Sequence, residues 1–325
     1  MRNPLFKTTG LVSKAKSPVP ASEANRSAGI LLILAAATCW GVAGGIGGVL
    51  VDRGWDPIVV SFYRGALTLV FAGLWLLCSL DRHGLRSWRL WAWSALAGAG
   101  VAGAFSLYFA GMRTGSVAVA ATLLYSAPVF VFLVDFLSGR QRVTVGRLLG
   151  LTVVMIGVGL LSGFFSGAAM RLTVAVSVIG LLSGVCYAIF IIGFQKAARH
   201  GSTQVVLTVA FTVQTALLLA IANRAAWPLT LASFDAGLIA LLGLLGGGLS
   251  FLCYVAGLRR SPAGAAALLG MAEPITAAAF AFVLLDQSLA PRRLLGALMV
   301  IVAVTMLNFR SRECEGDESR KRLRS

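Results

Sequence analysis

The sequence predicts an all-α polytopic membrane protein in which ten transmembrane helices form two inverted five-helix repeats. Three observations predict it. Apolar runs of membrane-spanning length recur from end to end, Lys and Arg gather in alternate connections, and the second half of the chain repeats the first.

The apolar runs come first. Hydrophobic residues make up 58% of the 325 and charged residues 12%, against roughly 45–50% and about 25% in soluble domains. Ten apolar segments can be marked, at 28–50, 58–80, 90–111, 116–137, 144–162, 173–195, 204–223, 236–258, 262–285 and 291–309. A helix of about 20 such residues crosses a hydrocarbon core of ~30 Å. The connections are short and leave no room for a soluble domain. No GxxxxGK[ST] phosphate loop is present, which excludes ATP hydrolysis within this chain.

The flanks are polar. Residues 1–27 read as a flexible cytoplasmic tail rather than a signal peptide, because they are long, carry Pro4, Pro18 and Pro20, and lead into a run without a clean cleavage pattern. Residues 311–325 read as a basic cytoplasmic tail. The net charge of +16 does not make a nucleic-acid surface, because the basic residues lie in short clusters between apolar runs and in the tails. Cys39, Cys78, Cys186 and Cys253 are inside apolar segments and Cys314 is in the tail, with no CxxC and no metal spacing. His83 and His200 are both in charged loops. No metal or cofactor is expected.

Lys and Arg set the orientation. With the N-terminus inside, the inner stretches hold 21 of them and the outer stretches six, with Arg64 left within the second segment. That bias puts both termini in the cytoplasm, as ten crossings require. The Arg292–Arg293 pair is the awkward outer loop.

The repeat is direct. Shifted by 146 residues, YFAGMRTGSVAVAATLLYSAPVF falls on YVAGLRRSPAGAAALLGMAEPIT, with Gly111 on Gly257, Arg113 on Arg259 and Pro128 on Pro274. From Phe105 to Leu161 there are 18 identities in 57 positions, including the duplicated RLLG at 147–150 and 293–296. Earlier parts align at a shift of 147, where Cys39–Trp40 falls on Cys186–Tyr187 and Gly54 on Gly201. The two repeats are thus 28–162 and 173–310. Five crossings per repeat invert the second relative to the first, which is the pattern of alternating-access carriers with a site near the midplane.

Order, spacing and duplication of WG (40–41), DPIVVSFYRG (56–65), SAPVF (126–130) and AEPIT (272–276) resemble the EamA family of the drug/metabolite transporter superfamily, over about 28–310. The resemblance implies a multi-pass carrier of the inner cell membrane with cytoplasmic termini. Members mostly export small metabolites such as amino acids and their derivatives, although some import. The acidic residue often found after the fourth and ninth helices is kept here as Asp286 but replaced by Arg140 in the first half. The family usually carries Arg at the position of Arg64, which implies a shared structural or gating role for it more than a substrate-specific one.

The candidate residues carry two readings each. Glu273 lies about 16 Å into its helix, at the bilayer centre, where a charged acid costs roughly 2.5–3.5 kcal/mol. It either locks a kink through a hydrogen bond or stands in the substrate or proton path. Pro274 removes a donor and frees the carbonyl of Gly270, which lipid cannot satisfy. Pro128 repeats that kink while Ala127 lacks the acid, so the kink belongs to the architecture and the carboxylate to something asymmetric. Arg64, roughly 10 Å deep, either snorkels to the outer headgroups or binds a substrate carboxylate or an acid in the cavity. Asp135 reads as a local partner of Arg140 and Arg142.

Trp40, Tyr125 and Tyr187 fall mid-helix rather than at interfaces, as buried core or as an apolar wall with hydrogen-bonding tips. Tyr63, Tyr108 and Tyr254 read as interfacial or gating, and Trp75, Trp88, Trp91 and Trp93 as an aromatic belt. GVAGGIGG (41–48) offers GxxxG at 41/45 and 44/48, for close packing, homodimerisation or a sliding contact.

The expected function is secondary active export of small polar or amphipathic metabolites, with proton coupling as an option. The small-molecule pathway is Trp40, Arg64, Tyr125, Tyr187 and Glu273, with cavity kinks at Pro128 and Pro274 and no catalytic residues. The alternatives are import, drug efflux, a passive channel or scaffold, and a membrane-embedded enzyme. The last would need several convergent reactive groups, whereas only Glu273, Arg64 and Asp135 are charged at depth.

Overall fold

The structure is a computed structural model that describes residues 23–114, 117–139, 144–162, 164, 174–222, 233–284 and 290–306. Both tails beyond these, and the loop positions Arg140, Arg142, Arg171 and Asp286, lie outside the described residues.

Helices account for every regular element among the described residues. They are α1 (Glu23–Asp52), α2 (Pro57–Cys78), α3 (Trp88–Thr114), α4 (Val117–Leu124), α5 (Ala127–Leu137), α6 (Val145–Ser162), α7 (Val174–Ala197), α8 (Thr203–Ile221), α9 (Ser233–Gly243), α10 (Ser250–Leu258), α11 (Ala263–Leu269) and α12 (Ala272–Leu284), followed by α13 over 291–306. Six stretches are long and apolar enough to cross a membrane: Ser27–Asp52, Pro57–Cys78, Trp88–Gly111, Val174–Ala197, Thr203–Ile221 and Asp235–Leu258. Shorter apolar helices cover the other segments. Helix is the required answer, since hydrocarbon offers backbone groups no partner.

Local chemistry sets several boundaries. Asp56 caps α2, its carboxylate accepting from the amides of Ile58 (2.8 Å) and Val59 (3.3 Å) with Pro57 at the first turn. Gly54, at φ 93°, makes the preceding turn.

Three segments are not regular α-helix throughout. The expected kinks at Pro128 and Pro274 are full breaks lying a few residues before each proline, at Tyr125–Ser126 and at Gly270–Met271. Each proline sits in the first turn of the following half-helix, where its missing donor costs nothing. The carbonyl of Gly270, expected to be orphaned, instead accepts from the amide of Glu273 at 2.9 Å. A tight turn satisfies it, so no cavity is needed for that purpose. The third departs from regular α-helix without breaking: a π-helical turn, Leu244–Leu249, joins α9 to α10. Its counterpart in the first half, 98–103, is regular helix within α3.

Packing runs between the halves. α1 packs on α10 and α12, and α7 packs on α3, α4 and α5, while α2 lies along α8. Small residues permit the approach. A Cβ on Gly41 would strike Thr276 Oγ1 and the carbonyl of Glu273, and one on Gly184 would strike Ser126 Oγ and the carbonyl of Leu123. The first helix of each half therefore rests on the broken helix of the other. A Cβ on Gly44 or Gly48 would meet nothing within 4 Å, so that GxxxG pair makes no close approach to the other described residues.

Candidate functional site

The breaks bring backbone ends and side chains of both halves to one point, and Glu273 stands there. It opens α12 as a first-turn acid, where amides not yet committed to the helix favour an anion. Only 6% of its surface is exposed.

Two phenols face its carboxylate. Tyr187 Oη, from α7, donates to Glu273 Oε2 at 3.1 Å. Tyr125, from the break between α4 and α5, lies close enough to act on the same carboxylate. Arg64 of α2 lies close enough to act on that carboxylate electrostatically. Its guanidinium sits over the ring of Phe105, 3.5 Å from the centroid, and it is 5% exposed. Burial of this kind rules out the reading in which Arg64 snorkels to headgroups.

An aromatic wall completes the centre. Tyr187 stacks on Phe190 with centroids 4.5 Å apart, and Trp40 of α1 meets Phe190, Phe251 and Tyr254 at 6.1, 5.1 and 4.9 Å. All five residues expected along the pathway are thus buried together, although the wall is continuous with the main apolar core. Trp40 Nε1, Tyr254 Oη, and Nε and Nη2 of Arg64 are buried and make no hydrogen bond to a described protein group. Unmet buried donors are costly and uncommon in native proteins, and two of these groups, Arg64 and Tyr254, lie within electrostatic reach of Glu273.

One expectation on tyrosine is corrected in part. Tyr254 is 1% exposed and packs on Trp40, in the core rather than at an interface, which leaves its gating reading. Tyr108 is partly buried, with its ring 5.3 Å from that of Phe109. A usable signal was present: Tyr108 and Tyr254 coincide at the shift of 146, as do Phe105 and Phe251. Tyr63 does stay near its helix end, against Trp55 at 6.1 Å.

The remaining candidates fall elsewhere. Asp135 is buried in α5, while its expected partners lie outside the described residues. Trp88 and Trp91 are exposed, as a belt requires, and Lys196 Nζ sits 4.2 Å above Trp93. No group of three His, Cys, Asp or Glu suited to a metal occurs among the described residues.

The two ends of the bundle are joined by polar contacts. At one, Arg53 Nε meets Asp235 Oδ1 at 2.8 Å and Trp55 Nε1 donates to Asp235 Oδ2 at 3.2 Å. At the other, Arg259 donates to the carbonyl of Gly201 and to Thr203 Oγ1, and Gln204 Nε2 donates to the carbonyl of Asp81 at 2.6 Å.

Known proteins match this arrangement. The EamA-like transporter family matches twice, over residues 27–163 and 175–309. An uncharacterized transporter of Archaeoglobus fulgidus is 26% identical over 201 residues, covering 61% of this chain and 69% of its own. The uncharacterized transporter YwfM of Bacillus subtilis is 23% identical over 289 residues, covering 87% and 94%. A crystal structure of a protein with no stated function superposes with a TM-score of 0.73 at 17% identity, covering 89% of this chain and 99% of that one. That last likeness concerns the fold alone.

Proposed function

The chain belongs to the EamA-like transporter family, and from that premise we propose that it is a secondary active exporter of small polar or amphipathic metabolites. It crosses the cell membrane ten times as two inverted five-helix repeats, with both termini in the cytoplasm, and works by alternating access. Reciprocal packing of each half's first helix on the other half's broken helix supports the inverted arrangement. The Lys and Arg asymmetry supports the orientation.

One observation carries the reading. One buried carboxylate at the centre, Glu273, is hydrogen-bonded by Tyr187 of its own half and lies beside Tyr125 of the other. When the halves rock against each other, Glu273 must exchange its interactions with Tyr125 and Arg64. A solute bound at the centre takes the place of those partners on one side and gives it back on the other. Glu273 can meanwhile exchange a proton, which couples export to proton entry. The aromatic wall of Trp40, Tyr187 and Tyr254 suits an amphipathic solute, whose polar end would meet the unmet donors.

The test is to find the metabolite whose level in the medium rises on overexpression and falls on deletion. That compound should then show saturable counterflow in liposomes carrying the purified protein. Flux that never saturates and shows no counterflow would identify a channel instead.

A further inference from the structure

Arg64 occupies a place that the other half fills with a ring. At the shifts that relate the halves, Arg64 falls on Phe211 and Phe105 on Phe251. Phe211 meets Phe251 edge to face with centroids 4.9 Å apart, and Arg64 lies over Phe105 at 3.5 Å. The position packs as an aromatic position in both halves. The charge is what the first half adds.

Stacking uses the face of a guanidinium and leaves its edge. Nε and Nη2 form one edge of the planar group, and both are buried without a hydrogen bond to a described protein group. Such an edge matches the two oxygens of a carboxylate in parallel hydrogen bonds. The Phe105 ring offsets the buried charge without using a donor. The stem is confined as well. A Cβ on Gly246, in the π-turn, would stand 3.0 Å from Arg64 Cδ.

Resting on the reading of this centre as a transport site, we propose that the Nε–Nη2 edge of Arg64 is a preformed receptor for a carboxylate. Phe105 and Gly246 are its positioning residues, and the transported solutes are carboxylates. A dianionic phosphate fits worse, because Arg64 is the one described basic group acting on Glu273: it balances a single carboxylate when Glu273 carries its proton, and a dianion would leave one negative charge over.

The test uses the full-length protein in lipid nanodiscs and reads the thermal midpoint against matched pairs: acetate and acetamide, phenylacetate and phenylacetamide, leucine and leucinamide, with inorganic phosphate alongside. At least one carboxylate should raise the midpoint, while its amide and phosphate do not. Arg64→Lys, which keeps the charge but loses the planar edge, should weaken that carboxylate tenfold or more. Phe105→Leu should lower the carboxylate-over-amide preference, a ratio that general loosening would leave alone. Equal shifts by the amides, full carboxylate affinity in Arg64→Lys, or no shift from any carboxylate would each overturn the proposal. Carboxylate binding without counterflow in liposomes would sink the carrier reading and spare this one. Counterflow confined to solutes lacking a carboxylate would do the reverse.

Discussion

Tyr187 and Glu273, 86 residues apart in the chain, share a buried hydrogen bond of 3.1 Å. The phenol reaches the carboxylate from the middle of α7, while its ring stacks on Phe190. Tyr187→Phe removes the donor and keeps the stack. A hydrogen bond to a charged group contributes about 1.5–3 kcal/mol, so the variant should fold but lose about that much stability. Thermal melting in nanodiscs measures it, and a midpoint equal to the parent's would contradict the bond.

Gly41 and Gly44 belong to the same glycine-rich run but differ in surroundings. A side chain at Gly41 would collide with Thr276 and the backbone of α12, whereas Gly44 faces open space. Gly41→Ala should therefore destabilise the protein by about 1–3 kcal/mol, the usual effect of overpacking, and Gly44→Ala should leave the melting temperature nearly unchanged. Equal effects in the two variants would contradict the α1–α12 packing.

The Arg53–Asp235 pair closes one end of the bundle, but 45% of the Arg53 side chain is exposed. Exposed ion pairs contribute about 0–1 kcal/mol. Asp235→Asn should melt within a few degrees of the parent in nanodiscs. A large loss of stability would show that this end carries the fold.

Topology gives an independent check. Reporter fusions after Lys16 and within the C-terminal tail should both read cytoplasm, and one near Arg171 should read the outside. A C-terminus on the outer side is incompatible with ten crossings.

Much of this was legible in the sequence, for identifiable reasons. Apolar length read the helices, because lipid admits only helices and closed barrels and runs of about 20 apolar residues fit the helix. The repeat read the two halves, and Trp40, Tyr187 and Glu273 stood out because their chemistry is wrong for the depth of their segments. The π-turn at Leu244–Leu249 could not be read, since LLGGGL is as compatible with regular helix as its counterpart in α3. Its fit against Thr68 and Arg64 is a tertiary fact. The burial of Tyr254 against Trp40 is a tertiary fact too, decided by packing between the halves. The contact of Arg64 with Phe105 was invisible for the same reason, though the duplicated Phe105 and Phe251 hinted that both matter.

The central claim is that Glu273 carries a proton through the transport cycle, and one substitution tests it most directly. Glu273→Gln preserves size and hydrogen bonding to Tyr187 but cannot titrate. In liposomes loaded with the metabolite found in cells, an imposed proton gradient should drive accumulation by the parent protein and not by the variant. Counterflow down the solute's own gradient should survive in both. Accumulation by Glu273→Gln against the gradient, with the parent's dependence on pH, would make Glu273 a structural residue and place the coupling elsewhere.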